Sequence, residues 1–121
     1  MTQITYTRLL ACGSRTWNDI ATIRQALLEH PARILIHGSA PGADALAARA
    51  ARELGWASAA VPAEWARDGN AAGPIRNAAM LLLQPEVVLA FHIGNSPGTR
   101  NMITQAETAG IPVVRYTPSK P

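Results

Sequence analysis

The chain contains a single cysteine, Cys12. It cannot close an internal disulfide, and alone it cannot build a cysteine-based zinc site. Three scattered histidines leave little scope for a structural metal, so no metal site is expected. There is one lysine, Lys120, and every other basic residue is an arginine, with no basic run anywhere. That lacks the electrostatic stripe of a nucleic-acid-binding surface, and aromatics at 5% offer few stacking platforms for a single strand. Nucleic acid is therefore not the expected partner. No apolar run approaches the roughly 20 residues that span a bilayer. The opening Met1-Thr-Gln-Ile-Thr-Tyr-Thr-Arg8 lacks the charged-then-apolar order of a signal peptide. The expected location is the cytoplasm. Linkers, repeats and low-complexity segments are also missing. The expectation is one domain over 1–121, with 117–121 a frayed tail.

What is present is 48% hydrophobic residues, 16% charged residues and a formal charge of +3, the composition of a globular chain. Short apolar runs ending at turn signals predict buried strands over 8–13 (RLLACG), 33–38 (RILIHG), 86–92 (EVVLAFH) and 111–116 (IPVVRY). The Ala-rich stretch 56–63 is a weaker strand. Helical periodicity predicts helices over 17–30, 42–55, 74–84 and 97–109. Thr16 with Asp19 is expected to cap the first, and Gly55 to end the second. Gly73-Pro74 and Ser96-Pro97 are favourable starts for the third and fourth. Strands alternating with helices specify an α/β domain: a mostly parallel five-stranded sheet with helices on both faces.

The unusual residues fall on one edge of that sheet. In such folds ligands bind beyond the carboxyl ends of the strands. There lie Gly13-Ser14-Arg15, Gly38 to Asp44, Pro62 to Gly73, and His92 to Asn101. The opposite edge has short, plain connections. Glycine with Ser or Thr at helix starts exposes backbone N–H groups that bind anions. Arg15, Arg76 and Arg100 each sit at or just before a predicted first helical turn, where a cation opposes the helix dipole by roughly 0.3–1 kcal/mol. Placed so, they point to a shared anion, against the plainer reading of solvated arginines. Asp44 is favoured by the helix dipole in a first turn. If it meets a ligand, a ribose hydroxyl or base edge suits it better than phosphate. Glu64 and Asp68 read as solvated loop acids. Trp65 either stacks on a base or covers the core, with stacking favoured. His37 and His92 read as strand-end residues, and Cys12 as inert core.

GSR after the first strand, HGSAPGADALA, PAEWARDGNAAGPIRNAAM and SPGTRNMITQAETAGIPV, in this order, resemble the YspA-like branch of the SLOG superfamily. That superfamily is Rossmann-like, a three-layer sandwich, and related to the Lonely-Guy phosphoribohydrolases and DNA-processing protein A. The resemblance runs from about residue 8 to 115. It implies a sensor-type domain that binds a nucleotide or nucleotide derivative, with phage or prophage associations. It places Gly13, Ser14, Gly38, Ser39, Gly42, Gly98 and Thr99 as donors. Arg15, Arg76 and Arg100 are then phosphate contacts, Asp44 and Asn77 sugar or base contacts, and Trp65 a stacking face. Mg²⁺ could accompany a diphosphate. Self-association follows from related domains pairing through helices, and from Ala- and Leu-rich helix faces. In the Lonely-Guy motif a glutamate stands where this chain has Met102. Met cannot activate water or stabilise an oxocarbenium-like centre. The expectation is therefore binding. The alternative is an N-glycosidic hydrolase that draws its acid from Asp44 or Glu64.

Overall fold

The computed structural model describes residues 4–119. Five strands, β1 (Tyr6–Gly13), β2 (Ala32–His37), β3 (Ala57–Ala60), β4 (Val87–Phe91) and β5 (Val113–Tyr116), form one sheet. Its order is β3-β2-β1-β4-β5, and every pairing is parallel. The chain winds outward from β1 through β2 to β3, then crosses back and winds the other way through β4 to β5. The reversal lies between β1 and β4, where Leu10 pairs with both Ile36 and Val88.

Residue type decides which strands are central. β4, and β1 over Leu9–Cys12, are runs of apolar residues buried on both faces, as central parallel strands must be. β3 is mostly exposed Ala and Ser and forms an edge. Period-two alternation sends Leu9 and Ala11 to one face of the sheet, and Leu10 and Cys12 to the other. The first face is covered by α1 (Ile20–Glu29) and α2 (Ala43–Glu53) through Ile23, Leu27, Ala47 and Ala50. The second is covered by α4 (Ala72–Leu82) and α5 (Pro97–Thr108) through Met80, Met102, Ile103 and Ala106. The result is the expected α/β three-layer sandwich. Each fully buried Leu of the central strands contributes about 1.5–3 kcal/mol.

Several boundaries differ from the sequence expectation, each for a local reason. α1 starts at Ile20 rather than at 17. Residues 14–17 form a turn in which the Trp17 N–H donates to the Ser14 carbonyl, and Trp17 Nε1 donates to the Asp19 carbonyl. The cap pairs Asp19 with Thr22, not with Thr16: the Thr22 N–H and hydroxyl donate to the two oxygens of Asp19. α4 starts at Ala72, which leaves Pro74 inside the first turn instead of at its first position. Its missing N–H costs nothing there, because first-turn N–H groups have no partner within the helix. The long polar loop contains a short helix, α3 (Trp65–Asp68), followed by a 3-10 turn at Gly69–Ala71. Neither buries a residue, so no apolar periodicity marked them. The part of the expected frayed tail that is described returns to the body: the Ser119 N–H and hydroxyl both donate to Asp19 Oδ2. Lys120 and Pro121 lie outside the described residues. Among the described residues, no helix is long and apolar enough to cross a membrane.

Candidate functional site

Beyond the carboxyl ends of β1 and β4, at the reversal point, is a cleft of about 390 Å³. The first wall is the β1–α1 connection. Ser14 is buried and ties this wall to the other side of the reversal. Its hydroxyl accepts from the Ile93 N–H at 2.8 Å and meets the Ser96 hydroxyl, while its own N–H donates to the Phe91 carbonyl. The hydroxyl expected to serve a ligand thus holds two loops together. Arg15 follows on the exposed side, with its guanidinium carbon 5.9 Å from the centre of the Trp65 ring. That is cation–π distance.

The stretch Gly38 to Asp44 closes on itself. The Gly38 N–H donates to Asp44 Oδ2 at 3.0 Å, and the Ala40 N–H donates to the same oxygen at 3.3 Å. The Ala43 N–H donates to the Ser14 carbonyl. Donors that a phosphate loop would offer to a ligand are therefore spent inside the protein. Gly42 makes this packing possible. Its φ is 77°, and a Cβ there would fall on the backbone carbonyl of Arg15. Asp44 is only 5% exposed. Burial raises its pKa, and the Ala40 N–H, the Arg76 charge and the Gly38 N–H oppose that rise. His37 is shifted down by burial, with Asp44 opposing; its Nδ1 accepts from the Ser39 N–H.

The opposite wall is built by α4 and α5. Arg76 NH1 donates to the Gly38 carbonyl at 2.6 Å, and its Nε donates to Asn77 Oδ1 at 3.1 Å. A Cβ at Gly38 would overlap this guanidinium, so only glycine allows the approach. Burial lowers the pKa of Arg76. The Asp44 charge opposes that shift, and the Arg15 charge adds to it. Asn77 is buried, and its Nδ2 donates to the Gly98 carbonyl and to Asn101 Oδ1. Its amide therefore joins α4 to the start of α5 instead of standing open to a ligand. At that start Pro97 has no N–H, and the Arg100 N–H makes the first bond back, to the Ser96 carbonyl. The N–H groups of Gly98 and Thr99 precede it and have no partner within the helix. Both residues line the cleft.

Of the residues singled out from sequence, Gly13, Ser14, Arg15, Asp44, Trp65, Arg76, Asn77, Gly98 and Thr99 line the cleft together. Gly38 lies behind Arg76. Ser39, Gly42 and Arg100 are outside the lining, Ser39 and Arg100 being exposed. Glu64 opens instead onto a separate hollow of about 290 Å³, beside Arg67 and Asp68. Met102 is fully buried in the α4–α5 core. Thr16, Asn95 and Ser96 also line the cleft. In the sequence Thr16 and Ser96 stand out only as cap and helix-start residues, and Asn95 only as a neighbour of the glycines at the same edge. Cys12 and Met80 supply apolar lining. Burial pushes the Cys12 thiol far up, Asp44 adds to the shift and Arg76 opposes it. His92 Nε2 is a buried nitrogen without a partner among the described residues, and His92 is not in the cleft lining. No three His, Cys, Asp or Glu side chains gather as a metal site among the described residues.

Comparison with known proteins agrees with this architecture. Residues 7–67 match the model of the YspA, cpYpsA-related SLOG family. The Gene 61 protein of Mycobacterium phage D29 is 38% identical over 119 residues, covering 90% of this chain and 95% of that protein. Among solved structures, DNA processing protein A from Streptococcus pneumoniae is similar with a TM-score of 0.54 at 17% identity. The match covers 90% of this chain but 58% of that longer one, and at this identity it speaks for the fold alone.

Proposed function

The chain belongs to the YspA, cpYpsA-related SLOG family, and we propose that it binds a nucleotide or nucleotide derivative, with the anionic group between Arg15, Arg76 and the N-terminus of α5. One observation carries this reading. Two arginines, Arg15 and Arg76, and the first turn of α5 converge on one cleft at the reversal of strand order. Like charges brought together cost free energy unless a counter-charge lies between them. The N–H groups of the first helical turn, which have no partner within the helix, and the positive end of the dipole favour the same charge. The loop from Gly38 to Asp44 is a poorer phosphate site, because its donors are already engaged.

The rest of the cleft suits the rest of such a ligand. Trp65 is half exposed and presents a ring face next to Arg15, suitable for stacking a base. The volume of about 390 Å³ is in the lower part of the ordinary small-molecule range. A ligand carrying a diphosphate would bring its own Mg²⁺. Binding without turnover, as a sensor, is favoured because the position of the Lonely-Guy glutamate holds the buried Met102. Self-association is best supported at α4, whose outward Pro74, Ile75, Ala78 and Leu82 are exposed and uncharged.

A thermal-shift screen against a nucleotide panel tests the reading. A ligand at a hundredfold excess over Kd stabilises by about 2.7 kcal/mol, and Arg76→Ala should abolish the shift. No shift with any nucleotide would overturn the proposal. The hydrolase alternative has one structural support, the buried acid Asp44 in the cleft. Product formed from nucleoside monophosphates, NAD or ADP-ribose, and lost in Asp44→Asn, would establish it over binding alone.

A further inference from the structure

Resting on that reading of the cleft, we propose that Asp44 is a positioning residue for Arg76, acting through the backbone of Gly38, and not a contact to the ligand's sugar. The connection is continuous. Asp44 Oδ2 holds the Gly38 and Ala40 N–H groups. Fixing that turn fixes the Gly38 carbonyl, which accepts from Arg76 NH1 at 2.6 Å. Arg76 Nε is held from its other side by Asn77 Oδ1, and Asn77 Nδ2 is anchored to the Gly98 carbonyl and Asn101. The guanidinium is thus clamped between the β2–α2 turn and the start of α5. A free arginine would lose much side-chain entropy on meeting a ligand. A clamped one has lost it on folding, and it presents its remaining N–H groups in a fixed direction.

Asp44 and Arg76 form no direct ion pair among the described residues, although each feels the other's charge. The geometry is that of a carboxylate bonding to a backbone turn, with the guanidinium bonding to the far side of that turn. The same carboxylate acts as a built-in anion for the turn. A ligand phosphate is thereby excluded from Gly38–Ala43 and directed to α5.

Three roles for Asp44 give three different results with inorganic phosphate and ribose 5-phosphate as probes, each titrated calorimetrically against the full chain. A positioning role predicts that Asp44→Ala weakens both probes by the same factor, about tenfold or more, the size expected when one hydrogen bond to a charged group is misaligned. Asp44→Asn restores the acceptor without the charge, so it should recover most of the loss for both. A direct sugar contact would weaken ribose 5-phosphate alone in both variants. A bystander charge would make both probes bind more tightly in both variants. Either of the last two results overturns the inference. Should Asp44→Ala not fold, Asp44→Asn decides: equal affinities near wild type support positioning, and loss confined to ribose 5-phosphate refutes it.

A readout without ligand separates this inference from the reading of the cleft. The Arg76 Nε–H resonance should exchange slowly with water in the wild type and in Asp44→Asn, and fast in Asp44→Ala. Identical exchange in all three chains would overturn the inference. Failure of the wild type to bind either probe would count against the anion reading alone.

Discussion

Gly42 is the point where the β2–α2 turn touches the β1–α1 turn, and Gly42→Ala should be among the most damaging single-methyl additions to this chain. Two costs add. The first is conformational. Gly42 has φ 77° and ψ −124°, a region closed to residues with a Cβ, and forcing one there costs about 1–3 kcal/mol. The second is steric. The new methyl would overlap the Arg15 carbonyl and crowd the Ser14 carbonyl. These are backbone atoms that cannot swing away, and such overpacking costs about 1–3 kcal/mol. Together they amount to about 2–6 kcal/mol, a large part of the about 5–15 kcal/mol that holds a domain folded. Urea denaturation measures the loss as a fall in midpoint at unchanged slope. Gly98→Ala is the control. It adds the same methyl at a helical position with nothing within 4 Å, and it should be neutral or stabilising by up to about 1 kcal/mol. A Gly42→Ala chain within about 0.5 kcal/mol of wild type would show that the turns yield, and that their close packing does not constrain the cleft.

Asp19→Ala removes the cap of α1 and the anchor of Ser119 together, and should cost about 1 kcal/mol in a urea titration. Hydrogen bonds from Thr22 and Ser119 hold the Asp19 pKa below its ordinary value. Its contribution is therefore fully present above about pH 4 and is lost as the pH falls further, so the difference between wild type and Asp19→Ala should shrink in acid. Trp65→Ala should leave stability within about 0.5 kcal/mol, since α3 buries no residue. It should weaken base-bearing probes while sparing inorganic phosphate, as paired calorimetric titrations would show. Cys12 is buried and its thiol is shifted far upward by burial. It lines the cleft wall, yet with so little thiolate a disulfide reagent should modify it far more slowly at neutral pH than a free thiol, and modification as fast as a free thiol would refute that shift.

The order of elements was legible because β1, β2 and β4 are unbroken apolar runs between turn residues, and because helices with one apolar face separate them. The edge that carries the cleft was legible for a related reason: glycines and polar residues gather after the strands, while the other connections are plain. What the residues did at that edge was less visible. Ser14, Asp44 and Asn77 stood out as polar groups in the right place, yet their hydrogen-bonding groups are largely turned inward, onto Ile93, Gly38 and Gly98. Those partners are backbone atoms, and every residue has them, so residue type carries no record of the pairing. Arg15 and Arg76 were singled out as cations at predicted helix starts, but α1 starts at Ile20 and α4 at Ala72, so neither stands in a first turn; the β1–α1 connection and the second turn of α4 carry them to the cleft instead. α3 was missed for want of any buried residue, and the start of α4 was misplaced because Gly-Pro is as acceptable inside a first turn as at its head.

The position of β1 has a consequence for synthesis. β1 is made before the other strands of the sheet, but it lies in the middle, with β2 on one side and β4 on the other. While the ribosome is still adding residues 38–86, β1 and β2 can pair, and α1 can cover one face. The flank of β1 that belongs to β4 then has open hydrogen-bonding groups beside Leu9, Leu10 and Ala11. Such a flank is an invitation to pair with another chain. The nascent protein is therefore most vulnerable to aggregation just before Val87–Phe91 emerges. The same event that closes this flank brings Ile93 onto Ser14, so protection of the chain also joins the two loops beside the cleft, which α5 then completes.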